Sequence, residues 1–363
     1  MLSKTLPRLA LAVGLGCAAF SVSAEVLNFF NWADYAGKNT VPKFEKDYGI
    51  KVRYDPFDSE DTLQAKLLAG HSAYDVVVPS SAYLRNQIQA GLYQKLDKSR
   101  IPNWKNLDPV LMKKLETVDP GNQYAIPWTM GTTGLVINSK ARQLLGPAAP
   151  YDSWELLFNP KYLSRAQSCG VGLLDSPGDV FAAALRYLKR DLNKANSKDL
   201  QDAYELMKGI RPYITQFNSS SYVSDLALGD LCVAIGWSGD VMQARLQAKE
   251  SKKNFQIDYI IPKEGSAIWF DVMAVPRDAP NINAVYKWLN YIETPEVHAD
   301  ISDNTYYLSA NKVANALVKA EVRNDASVNP DATTLQRLTP IQGLSPELMR
   351  QMTRLWAGFK TGR

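Results

Sequence analysis

Short apolar runs alternate with amphipathic stretches from residue 26 to the end of the chain. The apolar runs have the length of strands, and the stretches between them repeat their apolar residues at the period of a helix. The runs predicted as strands are residues 26–30, 51–54, 74–79, 170–174, 232–236 and 257–261. Strands that alternate with helices in this way predict an α/β fold with largely parallel sheets.

Helix starts are indicated at residues 59–62 (Ser-Glu-Asp-Thr) and at residues 177–179 (Pro-Gly-Asp), because an amphipathic run follows each segment. Polar and aromatic residues also come directly after four of the predicted strands, at 31–35, 80–81, 175–179 and 237–240. Ligands of α/β proteins bind beyond the carboxyl ends of the strands. We therefore expect these four segments to contribute to one binding site.

The N-terminus has the pattern of an export signal. Lys4 and Arg8 precede an apolar run at residues 9–20, and small residues at 22–24 precede Glu25. This run is too short to span a bilayer, so the pattern predicts a cleaved signal peptide at residues 1–24 and a periplasmic protein. A lipoprotein signal that ends at Cys17 is the alternative.

Charge and histidine content narrow the classes of function. The whole chain has a formal net charge of +4, and removal of two signal-peptide cations leaves a weakly charged protein without a basic cluster, so no nucleic acid is expected as a partner. The only histidines, His71 and His298, are too few to favour a catalytic triad or a zinc site. We expect no catalytic residue, no metal and no cofactor.

Two cysteines, Cys169 and Cys232, remain after the signal peptide. An even number of cysteines in an exported protein favours one disulfide, because the compartment is oxidising. Two buried free thiols are the alternative.

Acidic and aromatic side chains occur together at several points: Trp32 and Asp34 with Tyr35, Trp237 with Asp240, Trp269 and Phe270 with Asp271, and Tyr306 beside Tyr307. An alkylammonium ion needs carboxylates for its charge and three N–H donors, and its methylene chain needs apolar walls. Aromatic faces supply such walls and attract the cation. These pairs therefore indicate a site for an amine that carries more than one ammonium group.

Other interpretations of the same residues stay open. A tryptophan alone more often packs in a core, and Asp34, Asp175 or Asp240 could cap a helix. Asp240 and Asp271 could instead form the carboxylate pair of an exported glycoside hydrolase. Tyr306 and Tyr307 are also typical of ferric-ion binding proteins.

The chain resembles the periplasmic spermidine/putrescine-binding proteins of polyamine ABC transporters, and most closely their putrescine-binding branch. The resemblance extends from residue 26 to residue 363. The matching segments are residues 31–35, 44–46, 77–80, 104–109, 234–241, 261–265 and 270–271.

This resemblance implies a type II periplasmic binding protein, in which two α/β lobes close on the ligand like a Venus flytrap. It places residues 25–131 and 260–310 in lobe one, and residues 132–259 and 311–363 in lobe two. It also implies a Cys169–Cys232 disulfide and a monomer that is not an enzyme. Such a monomer delivers its polyamine to an ABC permease in the inner membrane, or presents its closed form to a sensor.

Ten ligand-binding residues follow from the resemblance. Tryptophans form the walls, Asp or Ser side chains bind the amines, and one tyrosine closes the site. They are Trp32, Asp34, Ser80, Asp179, Ser219, Trp237, Asp240, Trp269, Asp271 and Tyr307.

Departures from the family bear on specificity. Ala33 replaces a Ser or Thr, and Asp179 is one methylene shorter than the usual Glu. Ala82 and Ile341 stand where spermidine-preferring relatives carry Tyr and Gln, whereas Trp269 is the ring of the spermidine branch. We expect putrescine as the favoured ligand, with spermidine or another diamine as the alternative.

Overall fold

A computed structural model describes residues 25–33, 35–57 and 59–362. The signal peptide predicted at residues 1–24 and the site residue Asp34 lie outside the described residues. The strands are β1 Val26–Trp32, β2 Lys51–Phe57, β3 Val76–Val77, β4 Ala125–Asn138, β5 Val171–Leu173, β6 Gln216–Phe217, β7 Val233–Trp237, β8 Ile257–Ile260, β9 Ser266–Ala274 and β10 Leu338–Pro340.

Helices fill the intervals between the strands, and two of them begin where the sequence indicates. The helices are α1 Thr40–Tyr48, α2 Glu60–Leu68, α3 Ser81–Gln89, α4 Pro109–Leu115, α5 Ser139–Leu145, α6 Glu155–Phe158, α7 Pro160–Ala166, α8 Pro177–Tyr187, α9 Ser197–Ile210, α10 Tyr222–Leu228, α11 Ser238–Glu250, α12 Ile282–Ile292, α13 Pro295–Thr305, α14 Ala320–Arg323, α15 Ala332–Gln336 and α16 Pro346–Thr361. The Ser59 side chain accepts a hydrogen bond from Thr62 N at 3.3 Å and caps α2. Over the described ranges, every helix is too short or too polar to cross a membrane.

The strands form a mixed sheet in the order β2-β1-β3-β9-β4-β7-β5-β6, with β10 beside β9 and β8 beside β4. The outer strands pair in parallel, as predicted from the alternation of strands and helices. Pairing around β4 is antiparallel. The α/β class is therefore confirmed, while the centre of the sheet is antiparallel rather than parallel.

Strand β4 connects the two halves of the molecule. Its first part, residues 125–132, pairs with β9, and its second part, residues 133–137, pairs with β7. Every residue of β4 is buried. A strand that is buried on both faces shows no alternation of apolar and polar residues, which is why the hydrophobic pattern did not predict it.

Two separate hydrophobic cores lie on either side of this junction. The first contains Phe29, Trp128 and Trp288, and the second contains Trp154 and Phe181. We call the parts of the chain around these cores the first lobe and the second lobe.

The packing of residues 311–363 bears on where the chain last passes from the first lobe to the second. Ala314, Val322 and Leu338 pack in the first core, although the resemblance placed residues 311–363 in lobe two. Met352 and Trp356 of α16 pack in the second core. We therefore propose that the chain returns to the second lobe only after β10.

The expected disulfide between Cys169 and Cys232 is present, with the two Cα atoms 5.5 Å apart. It joins the residues that precede the parallel neighbours β5 and β7. Gly170 has a φ of +89°, and a Cβ atom there would lie 1.9 Å from the Asp230 carbonyl oxygen. Only glycine fits between the disulfide and β5, because a side chain would collide with fixed backbone.

Candidate functional site

The register of β4 places three of the expected site residues in one row. Alternate residues of a strand lie on the same face, and residues directly opposite each other share that face. The opposed pairs are Thr129 with Asp271, Gly131 with Trp269, and Thr133 with Trp237. One face of the sheet thus carries a carboxyl group followed by two indole rings, and the row runs from the first lobe into the second.

Two glycines make room for the aromatic side chains of this row. A Cβ atom on Gly131 would lie 2.3 Å from the Trp269 ring, so the indole lies directly over β4. A Cβ atom on Gly239 would lie 2.7 Å from the Tyr307 ring. Any side chain at either position would displace an aromatic ring of the site.

Asp271 is a buried carboxyl group of the first lobe, with a relative exposure of 8%. The Tyr35 hydroxyl donates to Asp271 Oδ2 at 2.8 Å. Because Tyr35 has a single proton, the Thr129 hydroxyl donates to Tyr35 in turn, at 2.6 Å. Burial raises the pKa of Asp271 to about 7, and the hydrogen bond from Tyr35 only partly offsets this rise.

Asp240 lies in the first turn of α11 and accepts hydrogen bonds from two tyrosines. The Tyr307 hydroxyl donates to one carboxylate oxygen, and the Tyr222 hydroxyl donates to the other at 2.8 Å. The Trp237 backbone N–H donates to the Tyr222 oxygen at 3.0 Å, which holds that ring in place. Burial raises the pKa of Asp240, while the two hydroxyl donors lower it.

Asp179 lies in the first turn of α8 and is another buried carboxyl group of the site. It accepts hydrogen bonds from the Thr133 hydroxyl, from Ser176 Oγ at 2.7 Å and from Trp237 Nε1 at 3.4 Å. Burial raises its pKa, and these three donors act in the opposite direction. The shorter side chain of Asp179 thus still reaches the row on β4, because Thr133 and Trp237 both contact it.

Tyr307 connects the carboxyl groups of the two lobes. Its ring lies edge-on to Trp269, with centroids 5.0 Å apart, and to Tyr35, with centroids 5.9 Å apart. Because its hydroxyl donates to Asp240, side chains from both lobes form one continuous cluster. Six expected residues belong to this cluster: Asp179, Trp237, Asp240, Trp269, Asp271 and Tyr307.

Three further expected residues, Ser80, Trp32 and Ser219, make few or no contacts with this cluster. Ser80 pairs with Asp271 through a backbone bridge, but its hydroxyl caps α3 by accepting from Ala82 N at 3.4 Å. Trp32 packs on Phe57, with ring centroids 4.6 Å apart. Trp32 Nε1 and Ser219 Oγ are buried and have no hydrogen-bond partner among the described residues. The structure therefore links Ser80 to the cluster, and it shows no bond from Trp32 or Ser219 to the cluster.

Sequence reasoning did not include several residues that hold the acids in place. Thr129 and Thr133 lie on the strand that was not predicted, and Tyr222 lies on α10, for which no pattern indicated a site. Tyr35 was grouped with Trp32 and Asp34 in the sequence, but it was not included among the ten expected ligand-binding residues. Glu60 was interpreted only as part of a helix start.

Glu60 is in fact buried, with a relative exposure of 8%, and accepts a hydrogen bond from the Ser80 backbone N–H. Burial raises its pKa well above the ordinary value, and the nearby charge of Asp271 adds to the rise. The site region thus holds a fourth carboxyl group.

These carboxyl groups have no basic partner, since no ion pair in the described part of the chain includes Asp179, Asp240, Asp271 or Glu60. A buried carboxylate without a counter-ion is unfavourable, so the arrangement suits a ligand that brings positive charge. The residues described here include no group of three or more His, Cys, Asp or Glu that could hold a metal ion.

Tyr306 packs against the first core, whereas Tyr307 donates to Asp240, so the two tyrosines do not act as a pair.

Comparison with known proteins gives a consistent result. Residues 39–330 match the family model described as "Bacterial extracellular solute-binding protein". The chain is 45% identical to the putrescine-binding periplasmic protein SpuD of Pseudomonas aeruginosa, over 99% of this chain and 98% of the relative. It is also 45% identical to the putrescine-binding periplasmic protein PotF of Escherichia coli, over 97% of this chain and 95% of the relative.

A solved structure agrees with these relatives. A putative spermidine/putrescine ABC transporter protein from Listeria monocytogenes superposes with a TM-score of 0.81 at 29% identity, covering 94% of this chain and all of that one (100%). The two-lobed binding-protein fold expected from the resemblance is thereby confirmed. Neither a glycoside hydrolase nor a ferric-ion binding protein is supported by these relatives.

Proposed function

Because this chain belongs to the bacterial extracellular solute-binding proteins, we propose that it binds a polyamine, with putrescine favoured, and delivers it to an ABC permease. The observation that carries this proposal is the row of Asp271, Trp269 and Trp237 along β4. The row combines a carboxyl group without a counter-ion and two flat walls, which are the features that an alkylammonium requires.

The four carboxyl groups divide between the lobes in a way that suits a chain with a cation at each end. Asp271 and Glu60 belong to the first lobe, and Asp179 and Asp240 belong to the second. Each charge-assisted hydrogen bond from an ammonium contributes about 1.5–3 kcal/mol. The two indoles between the ends bury the methylene groups and attract the cations.

A ligand held from both sides also explains how binding is coupled to delivery. A ligand favours the closed form by as much as it binds that form more tightly than the open one. Putrescine that contacts Asp271 and Asp179 together gains this energy only when the lobes are close. A permease in the inner membrane then recognises the closed protein, which acts as a periplasmic monomer and catalyses no covalent step.

Two substitutions bear on the choice of amine. Ala82 lies in the first turn of α3 beside Ser80, and Ile341 follows β10 where the chain passes between the lobes. Ala82 is smaller than the Tyr expected in spermidine-preferring relatives, and Ile341 is less polar than the Gln expected there. Fewer hydrogen-bond groups at this point favour the shorter diamine.

Calorimetric titration tests the proposed function. The protein without its signal peptide, unfolded and refolded to remove bound ligand, is titrated with putrescine, cadaverine, spermidine and spermine. We expect one-to-one binding with putrescine as the tightest of the four. Absence of heat with every amine would contradict the proposal, and tightest binding of spermine would contradict the preference for a diamine.

Binding should also depend on pH, because Asp271 has a pKa of about 7 when no ligand is present. A bound ammonium lowers that pKa, so the complex holds fewer protons than the free protein at neutral pH. Affinity should therefore rise with pH and level off above about pH 8. Below pH 7 it should fall by up to about tenfold per pH unit for one released proton.

Titration at pH 5.5, 7 and 8.5 in buffers of different ionisation enthalpy measures both the affinity and the proton release. The Asp271→Asn variant is the control, since it has no carboxyl group to titrate at this position and should show a flatter profile. Constant affinity of the unaltered protein across this range would show that Asp271 does not face the ammonium.

A further inference from the structure

Helix α11, which carries Asp240, contacts the first lobe along one of its faces. Residues 238, 242 and 245 lie on this face, because they are four and three positions apart in a helix. Ser238 Oγ accepts a hydrogen bond from Thr132 N at 3.3 Å, and Met242 packs in the first core. Other residues of α11 pack in the second core, so this helix lies between the lobes.

The third residue of this face, Arg245, forms an ion pair with the first lobe. Its Nη1 lies 2.6 Å from Asp325 Oδ2 and also donates to Ser327 Oγ at 3.3 Å. Asp325 stands in the chain between Val322 and Val328, which both pack in the first core. The ion pair is therefore a contact between the two lobes.

Each partner of this pair is also held by its own lobe. Arg245 Nε donates to the Ile257 carbonyl oxygen at 2.7 Å, and Asp325 Oδ1 accepts from Ser327 N at 2.8 Å. Burial raises the pKa of Asp325, but the hydrogen bonds from Ser327 and the charge of Arg245 outweigh this effect and lower the pKa. The two side chains are only 25% and 21% exposed. Such a pair loses less conformational entropy and is less screened by salt than a flexible surface pair.

The pair lies far from the point at which β4 passes between the lobes. That point is between Thr132 and Thr133, whereas Ile257, which holds Arg245, pairs with Asn138 at the other end of the strand. Five residues of a strand span about 17 Å. A hinge rotation of about 15° across the strand moves a point at that distance by about 4 Å, which is enough to break an ion pair.

We propose that the Arg245–Asp325 ion pair is a latch, which forms when the lobes close and raises the affinity for every ligand of the site by the same factor. In the described part of the chain, these side chains bond Ile257, Ser327 and each other, and none of the four carboxyl groups of the site. A contact made only in the closed form favours that form, and this increases the apparent affinity of a ligand that requires it. This inference rests on the proposed function, since it assumes that the lobes close on a ligand.

Calorimetric titration of Asp325→Asn with putrescine, cadaverine and spermidine tests the latch. Asparagine can still accept the hydrogen bond from Ser327 N, but it lacks the charge that faces Arg245. We expect each amine to bind about five- to thirtyfold more weakly, with unchanged ratios between the amines. Stopped-flow measurements should show a faster dissociation and a similar association rate, because the latch forms after the ligand has entered.

A second variant of the pair and a control in one lobe separate the latch from general damage. Arg245→Gln should weaken binding to a similar degree, and Arg245→Gln/Asp325→Asn should bind no more weakly than the weaker single variant, because the same contact is lost. Arg142→Gln is the matched control, since Arg142 pairs with Asp258 at 2.7 Å within the second lobe. This control should leave the affinity for every amine unchanged.

Thermal unfolding distinguishes a latch from a permanent brace. The ligand-free Asp325→Asn variant should melt at the same temperature as the unaltered protein, because the latch is absent from the open form. Saturating putrescine should raise the melting temperature of the variant by less, in line with its weaker binding. A lower melting temperature without ligand, combined with unchanged affinity, would show a permanent brace and overturn the latch.

The titrations also distinguish the latch from the proposed function. Unchanged affinity in Asp325→Asn would overturn the latch, as would additive losses in the double variant. A loss that differs between the amines would overturn it too, because the pair would then contact the ligand. All these results leave the proposed function intact. Absence of binding by the unaltered protein would instead overturn the proposed function and, with it, the closure on which the latch depends.

Discussion

Replacement of Asp271 by Asn should weaken putrescine binding by about ten- to a hundredfold, which corresponds to about 1.5–3 kcal/mol. Asparagine has nearly the same shape and can still accept the hydrogen bond that Tyr35 donates at 2.8 Å. It replaces the second carboxylate oxygen by an NH₂ group and removes the negative charge. The ammonium thus loses its charge-assisted partner and faces another donor.

The same variant should be more stable than the unaltered protein when no ligand is present. Asp271 has a pKa of about 7 in the fold against an ordinary value of about 3.9, so the folded state binds this proton more tightly than the unfolded state. For a carboxyl group whose pKa is raised, the destabilisation is absent below the unfolded pKa and complete above the folded one. Asp271→Asn should therefore gain up to about 4 kcal/mol of unfolding free energy at pH 8, and little at pH 4.

Calorimetric titration and urea unfolding of the same preparation measure the two effects. Asp230→Asn, a change on the exposed surface, is the matched control and should alter neither quantity. A variant that lost both affinity and stability at pH 8 would show that Asp271 supports the fold rather than the ligand. Unchanged affinity would show that the ammonium lies elsewhere.

Replacement of Trp237 by Ala should weaken putrescine binding by about 2–3 kcal/mol, or about thirty- to 150-fold. The indole occupies the end of the row on β4, and its Nε1–H donates to Asp179 at 3.4 Å. Its removal takes away an apolar wall, a cation–π contact and one hydrogen bond to a ligand-facing acid. Trp237→Phe should lose less, because it keeps a ring and lacks only the indole N–H.

Trp104→Ala is the matched control for this loss. Trp104 packs beneath Lys98, whose ammonium lies 4.4 Å from the ring centroid, and against the first core. This variant should lower the melting temperature and leave the affinity for putrescine unchanged. Full affinity in Trp237→Ala would mean that the indole serves the second core and does not contact the ligand.

The local composition of the site could be read from the sequence with some success. Trp237 with Asp240 and Trp269 with Asp271 stand close together in the chain, so the pairing of ring and acid needs no knowledge of the fold. The two cysteines in an exported chain pointed to the disulfide that joins Cys169 to Cys232. Helix starts at residues 59–62 and 177–179 were likewise visible, because the Ser59 cap and the proline at the first position of α8 are local signals.

The sequence did not show which polar residues are buried or which core a segment joins. Glu60 has the position of an ordinary helix-start residue, and only tertiary packing makes it a buried acid that accepts a hydrogen bond from the Ser80 backbone N–H. Residues 314–338 carry no local signal for the lobe that they join, and they pack in the first core. Contacts between distant segments decide both features.

The sequence by itself determined the α/β class, the disulfide and the types of side chain available for an amine, because each depends on composition or on neighbouring residues. Only the tertiary structure decided that these side chains form one site. That result depends on β4, a strand buried on both faces, whose register opposes Thr129, Gly131 and Thr133 to residues more than a hundred positions away. Register between distant strands is set by packing on both faces, and a strand that is buried throughout lacks the alternation of apolar and polar residues that would record it.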